Sequence, residues 1–285
     1  MARMDGNATN ATIAIGAEFT VPRLGFGAMQ LCGPRVMGYP ADRDNALAVL
    51  RRTLELGVRL IDTADAYGPE VNERQICEAL WVYPEDLLLA TKGGNTRPGG
   101  AWIADGRPEH LRAAVTGSLQ RLRLESVPLY QLHRPDPKVP FAESVGALAE
   151  LRREGKIRYV GLSNVSVAQL ETARAIVPIA TVQNRFNLYD RSSEDVLQVC
   201  ERHGIAFLPY RPIDPGEFPG DGVLANVAKA HGATRAQISL AWLLRRSPVI
   251  APIPGTSSLV HLEENVAAAA IDLDDNEFEA LAAKR

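Results

Sequence analysis

Apolar positions along the chain fall into short continuous runs that alternate with longer segments of helical spacing. Thr12–Ala17 and Phe19–Val21 read as a short hairpin with Gly16 near its turn, and Leu24–Gly27 as a first strand. Ala41–Leu56 then carries Leu47, Leu50 and Leu54 on one helical face, with Asp42 or Asp44 as N-cap and Gly57 closing it. The buried run Val58–Ile61 follows. The alternation continues through helix Val71–Trp81, strand Leu87–Thr91, helix Pro108–Leu122, strand Leu129–His133, helix Phe141–Glu154 and strand Tyr159–Ser163. Helix Val167–Ala175, strand Thr181–Asn184, helix Ser192–His203, strand Ala206–Pro209, helix Thr234–Arg245, strand Val249–Pro252 and helix Leu259–Ala269 complete the series.

That makes eight strand-then-helix units. Strands that are apolar throughout suit burial on both faces, and each helix supplies the crossover that a parallel sheet requires. A (β/α)8 TIM barrel is the expected fold, with the N-terminal hairpin in front of it. An open doubly wound sheet is the competitor, but no GxGxxG follows the first strand. The 285 residues exceed the roughly 250 that one such barrel uses, so residues 1–285 are expected to form one domain, with 1–11 flexible. Two irregular stretches, Gly93–Arg107 and Arg211–Gly222, follow strands and are expected at the rim as lids or substrate loops.

Composition narrows the function classes. Apolar residues make up 46% and charged residues 23%, which suits a folded core. Lys and Arg number 31 against 34 Asp and Glu, a net charge of −3, so no global positive field exists to hold nucleic acid or an anionic membrane. Only five of the basic residues are lysines: Lys92, Lys138, Lys156, Lys229 and Lys284. Cys32, Cys77 and Cys200 are far apart and fit neither a disulfide framework nor a zinc site. With no secretion signal and no apolar run of spanning length, a cytoplasmic protein is expected. No metal-binding text occurs, so no metal is expected.

On a barrel, side chains just past the strands' carboxyl ends meet at one mouth. Asp62 after Arg59–Ile61, Tyr67 five residues on, Lys92 after Leu87–Thr91 and His133 after Leu129–Leu132 would meet there. Singly, each has an ordinary reading: a helix cap, a rim aromatic, a solvated amine, a backbone-bonded imidazole. Together they form a proton-transfer set that structure alone does not require.

Asp62-Thr63-Ala64-Asp65-Ala66-Tyr67-Gly68, Thr91-Lys92 and Leu132-His133 resemble the catalytic text of the aldo-keto reductase superfamily. Gly161-Leu162-Ser163-Asn164, Val182-Gln183-Asn184 and Ile253-Pro254-Gly255-Thr256 through Glu264-Asn265 extend the likeness to about residue 270. The resemblance implies NADPH-dependent reduction of an aldehyde or ketone to an alcohol. Tyr67 would be the general acid, Lys92 would lower its pKa, Asp62 would pair with Lys92, and His133 would align the substrate carbonyl. Ser163, Asn164 and Gln183 would hold the nicotinamide carboxamide, with Tyr210 stacked on its ring.

Thr256 and Ser257 precede a helix whose amino terminus suits an adenosine phosphate, and His261, Glu264 and Asn265 would complete that end of the cofactor site. Here the sequence departs from one common family pattern, which reads Ile-Pro-Lys-Ser with a later arginine; Gly255 and His261 stand in those places. Two cations toward a 2′-phosphate are therefore missing, and NADH is the alternative cofactor. Ile-Pro-Gly-Thr-Ser with His-Leu-x-Glu-Asn is similar to a bacterial branch that includes pyridoxal-reductase-like members. Arg211, in place of the family's usual serine after the tyrosine, would compensate by reaching a cofactor phosphate.

Trp102 on one side and Gln30, Leu31 and Met37 on the other are the expected substrate wall. The chain ends soon after its last helical segment, so a long carboxyl-terminal loop is expected to be missing and one wall open. A monomer or small homo-oligomer acting on a small carbonyl compound is expected. Two rivals remain: a cofactor-sensing regulatory subunit on the same fold, and an isomerase or aldolase in which Lys92 forms a Schiff base.

Overall fold

The computed structural model describes residues 12–213 and 222–283, so residues 1–11 and the centre of the Arg211–Gly222 stretch lie outside the described residues. It opens with a hairpin, β1 (Thr12–Ile15) against β2 (Phe19–Pro22), turning at Gly16. The eight units begin with β3 (Phe26–Gly27), α1 (Arg43–Glu55), β4 (Leu60–Asp62), α2 (Val71–Leu80) and β5 (Leu88–Gly93). A small rim hairpin follows, β6 (Asn95–Thr96) with β7 (Ile103–Ala104). Next come α3 (Pro108–Leu122), β8 (Val127–Leu132), α4 (Phe141–Arg153), β9 (Ile157–Ser163), α5 (Val167–Arg174), β10 (Ile179–Gln183), α6 (Glu194–His203) and β11 (Ala206–Phe207). The chain ends with α7 (Gly222–Ala230), α8 (Arg235–Arg246), α9 (Leu259–Ala267) and α10 (Asp275–Ala282).

Seven strands form one parallel sheet in the order β3-β4-β5-β8-β9-β10-β11. The eighth expected strand closes it without becoming a regular ladder. Phe207 N–H donates to Val249 O at 2.8 Å and Ala251 N–H to Phe207 O at 2.8 Å, while Gly25 N–H reaches Pro252 O at 2.9 Å and Gly27 N–H reaches Pro254 O at 3.2 Å. Prolines at 252 and 254 have no N–H to return toward β3, so this seam is bonded in one direction only. Close approach there also needs glycine: a Cβ on Gly27 would stand 2.7 Å from Ile253 O, and one on Gly255 would stand 2.5 Å from Gly27 O.

The predicted helix signals hold where they were most local. Asp42 caps α1 by accepting from Asn45 N–H at 2.9 Å, and Pro108 occupies the first turn of α3. Two helices lie beyond the predicted set, α7 and α10. The second starts with a capping box between Asp274 and Glu277, and Phe278 stacks on Trp242 at 5.9 Å between centroids. Each of the two spans little more than two turns, too short a stretch for a helical period to be read. The loop Gly93–Arg107, expected to be irregular, contains the β6–β7 hairpin.

The barrel interior is layered. Hairpin residues Ile13, Ile15, Phe19 and Val21 plug its amino-terminal end against Leu60, Leu88, Ala90, Leu129, Ala206 and Leu208. One layer toward the carboxyl ends, the lining turns polar: Asp62, Lys92, Gln131, Thr181 and Gln183 are all buried there. Register produces this layer. Asp62 pairs with Ala90, so Lys92, the next inward residue of β5, rises above it and stands opposite Gln131 of β8.

Candidate active site

A pocket of about 750 Å³ opens over this polar layer. Asp62, Tyr67 and His133 line it, and Lys92 is buried directly beneath. Lys92 Nζ donates to Asp62 Oδ2 at 2.5 Å, to Thr63 O at 2.9 Å and to Tyr67 Oη at 3.3 Å. The four residues predicted to meet do meet. Asp62 Oδ1 in turn accepts from Gln131 Nε2 and Gln183 Nε2, both at 2.9 Å. Gly161 leaves room for this, since a Cβ there would stand 2.2 Å from Thr181 Oγ1 and 2.7 Å from Gln131 Cγ.

The charges sort themselves by burial and pairing. Burial alone would lower the Lys92 pKa, but Asp62 and Tyr67 outweigh it and hold the ammonium above its ordinary value. That also weakens the Schiff-base rival, because a protonated amine with three acceptors offers no free lone pair. Burial, with Lys92, Arg134 and Arg97 nearby, drives His133 well below its ordinary value, so the imidazole is neutral. Its ring lies edge-on to those of Tyr67 and Trp102, each with centroids 5.8 Å away, and its buried Nδ1 has no protein partner.

One expectation is corrected. Tyr67 was expected to have a depressed pKa; burial raises it instead, and Lys92 offsets only part of that rise, with Asp62 acting in the opposite direction. The Lys92–Asp62 pair beside the ring is nearly neutral overall, so the phenol sees less positive field than a lone ammonium would supply.

Ser163, Asn164, Gln183, Tyr210, Arg211 and Gly255 line the same pocket. Asn164, at φ +60°, is held on three sides: its amide donates to His133 O at 3.0 Å and Ser163 Oγ at 2.9 Å, and its oxygen accepts from Tyr210 Oη at 2.8 Å. Thr256, Ser257, His261, Glu264 and Asn265 are not in the pocket wall; Thr256 and Ser257 lead from Gly255 to the N-cap of α9, and His261, Glu264 and Asn265 lie on that helix. Ser258 caps that helix through His261 N–H at 3.3 Å, and Thr256 Oγ1 accepts from Ser258 N–H at 3.0 Å. Asn45 Nδ2 donates to Ser257 O at 2.7 Å and ties this shelf to α1.

Gln30 and Trp102 line the pocket as expected, with Met29 beside them. Leu31 does not, being buried in the core under α1, and Met37 lies against Gly100 instead of the pocket. Arg35 and Val36 take their place. Sequence reasoning also missed Gln131, whose signal was a lone amide in an apolar strand, and Arg97, which had none. Arg97 stacks on Trp102 at 3.7 Å and donates to Arg35 O, Val36 O, Ala66 O and Gly100 O. It pins the β3–α1 loop to the β5–α3 loop.

Residues 23–285 match a family described as the Aldo/keto reductase family. The chain belongs to that family. An uncharacterized oxidoreductase of Schizosaccharomyces pombe is 45% identical over 269 residues, covering 94% of this chain and 87% of the relative. A pyridoxine 4-dehydrogenase of Escherichia coli is 41% identical over 271 residues, 93% and 94% of the two chains. A thermostable aldo-keto reductase solved with the inhibitor epalrestat superposes with a TM-score of 0.87 at 31% identity, covering 96% of this chain and 99% of that one. An aldo/keto reductase from Klebsiella pneumoniae, solved with NADP and acetate, gives a TM-score of 0.81 at 28% identity over 95% and 94%. This aldo-keto reductase is thus an NAD(P)H-dependent oxidoreductase on a (β/α)8 barrel. None of its described helices is long and apolar enough to cross a membrane.

Proposed function

We propose that this protein reduces an aldehyde or ketone to the alcohol with NADPH, and that Tyr67 is the proton donor. The single observation that carries this reading is Lys92 Nζ lying between Asp62 Oδ2 at 2.5 Å and Tyr67 Oη at 3.3 Å, buried under one pocket. The pocket suits the cofactor's reactive end: the hydroxyl and amides of Ser163, Asn164 and Gln183 face it beside the Tyr210 ring, and it is large enough for a nicotinamide and a small carbonyl compound. Those four residues would hold the ring, while the α9 shelf from Thr256 to Asn265, including Ser257, His261 and Glu264, would take the adenosine end. When bound, NADPH supplies the hydride to the carbonyl carbon.

The chain's own groups handle the proton. Tyr67 Oη gives its proton to the carbonyl oxygen, and Lys92 stabilises the phenolate left behind. Asp62, fixed by Gln131 and Gln183, keeps Lys92 protonated and aimed. Neutral His133 donates one hydrogen bond to the same carbonyl oxygen and orients it. NADH remains the alternative cofactor because Gly255 and His261 are not the cations seen in the common pattern. The E. coli relative's name makes pyridoxal one carbonyl to include in a substrate panel.

The test is an absorbance assay of NADPH oxidation against aldehydes and ketones, with wild type and Tyr67→Phe. Turnover should fall by about three or more powers of ten in the variant while NADPH binding persists, because the phenol acts on the reacting oxygen only. Near-normal turnover by Tyr67→Phe would remove the residue from the mechanism.

A further inference from the structure

The pocket wall has an unusual charge balance. Its acid is Asp62, which Lys92 neutralises, yet Arg35, Arg97, Arg134 and Arg211 all line it. Arg97 is consumed by backbone carbonyls. Arg35, Arg134 and Arg211 are exposed and make no side-chain ion pair among the described residues. Elsewhere Arg52, Arg112 and Arg246 each hold two carboxylates, and arginines with no ion pair among the described residues, such as Arg51, Arg153 and Arg202, stand apart on α1, α4 and α6. In a protein of net charge −3, three guanidinium groups with no ion pair among the described residues stand at one opening. Such a field attracts and retains an anion.

Position separates Arg35 from the other two. Arg211 and Arg134 both lie close to Tyr210: Arg211 follows it, and Arg134 follows His133, whose carbonyl accepts from Asn164. Arg35 sits in the turn that Arg97 ties to Trp102. That turn is strained. Arg35 and Val36 are both left-handed, at φ +56° and +59°, a conformation a β-branched residue rarely adopts. Gly68, next to Tyr67, holds it through Gly68 N–H to Val36 O at 3.2 Å and Gly38 N–H to Gly68 O at 2.7 Å. The turn's backbone is thus anchored beside Tyr67, and the exposed Arg35 side chain extends from it.

We propose that the carbonyl substrate carries an anionic group, a carboxylate or a phosphate, which Arg35 and Arg134 hold at the mouth while the carbonyl meets Tyr67 and His133. This rests on the reductase reading above. Guanidinium forks suit both oxyanions.

Two matched pairs of substrates test it with NADPH and the full chain: succinic semialdehyde against butanal, and glyceraldehyde 3-phosphate against glyceraldehyde. At least one charged member should exceed its neutral partner in kcat/KM by about 30-fold, mainly through KM, consistent with a charged hydrogen bond. Whichever pair shows it assigns the oxyanion. The charged substrate's KM should also rise with salt. Arg134→Ala and Arg35→Gly, the latter compatible with a left-handed backbone, should each lower the charged-to-neutral ratio toward one. Equal or better use of both neutral partners overturns the inference and leaves the reductase reading standing. A variant that weakens NADPH binding while the ratio holds also overturns it, because the arginines then serve the cofactor's phosphates. If no carbonyl of any kind is reduced, the reductase reading fails and this inference falls with it.

Discussion

Lys92 and Asp62 are thirty residues apart and form a 2.5 Å ion pair with both side chains almost wholly buried. Removing one partner leaves the other charged and desolvated, which costs about 3–5 kcal/mol. Lys92→Met should therefore destabilise the barrel by that order, whereas Lys92→Met with Asp62→Asn should lose less than the single change. Urea unfolding of the three proteins measures this, and a double variant no more stable than the single one would contradict it.

The raised Tyr67 pKa sets the pH dependence of reduction. A general acid works while it is protonated, so kcat/KM for carbonyl reduction should show no basic limb from Tyr67 below about pH 10. Alcohol oxidation needs the deprotonated phenol and should rise toward the same region. A reduction profile that already falls by pH 8, in step with loss of the Tyr67 proton, would restore the depressed value that the residue pattern suggested.

Asp65 makes an independent prediction. Burial, with Glu73 close by, pushes its carboxyl well above the usual carboxylate range, and its Oδ1 has no protein partner. A carboxyl raised in the folded state stabilises most below its unfolded pKa of about 3.9, and that contribution is lost as pH rises through the folded value. Asp65→Asn should gain stability relative to wild type as pH increases from about 4 to 8. Thermal unfolding across that range checks the trend, and a constant difference would refute it.

Arg97→Lys should behave as a severe change. Lysine cannot fork to the carbonyls of Arg35, Val36, Ala66 and Gly100 or lie flat on Trp102. Loss of about 2–3 kcal/mol of stability and a KM for carbonyl substrates raised about tenfold are expected. If KM stays at the wild-type value, the pin does not shape the substrate wall.

Arg211→Ala addresses the cofactor. Its guanidinium is exposed at the pocket beside Tyr210, and a cofactor phosphate is the group it is proposed to meet. KM for NADPH should increase several-fold, and more than KM for NADH if the group it meets is the 2′-phosphate. Unchanged values for both cofactors would remove Arg211 from the site.

The chain's local text carried a large share of this. Apolar runs alternating with helical spacing, Asp42 and Pro108 at helix starts and the spacing of Asp62, Tyr67, Lys92 and His133 are short-range features, and short-range chemistry acts through neighbours in sequence. They determined the barrel, its N-terminal hairpin and the four residues that meet at the pocket. Tertiary structure alone decided the rest. The register that stacks Lys92 above Asp62 also surrounds Tyr67 with apolar wall, so desolvation, which depends on everything packed around a group, reversed the expected direction of its pKa. The substrate side was equally out of reach: Arg97 bonds the carbonyls of Val36 and Arg35 across 61 and 62 positions, and hydrogen bonds across that separation leave no period to read. Eight strands could be read from the chain, but the one-sided seam at Pro252 and Pro254 exists only because closure brings β3 and β11 to the same segment.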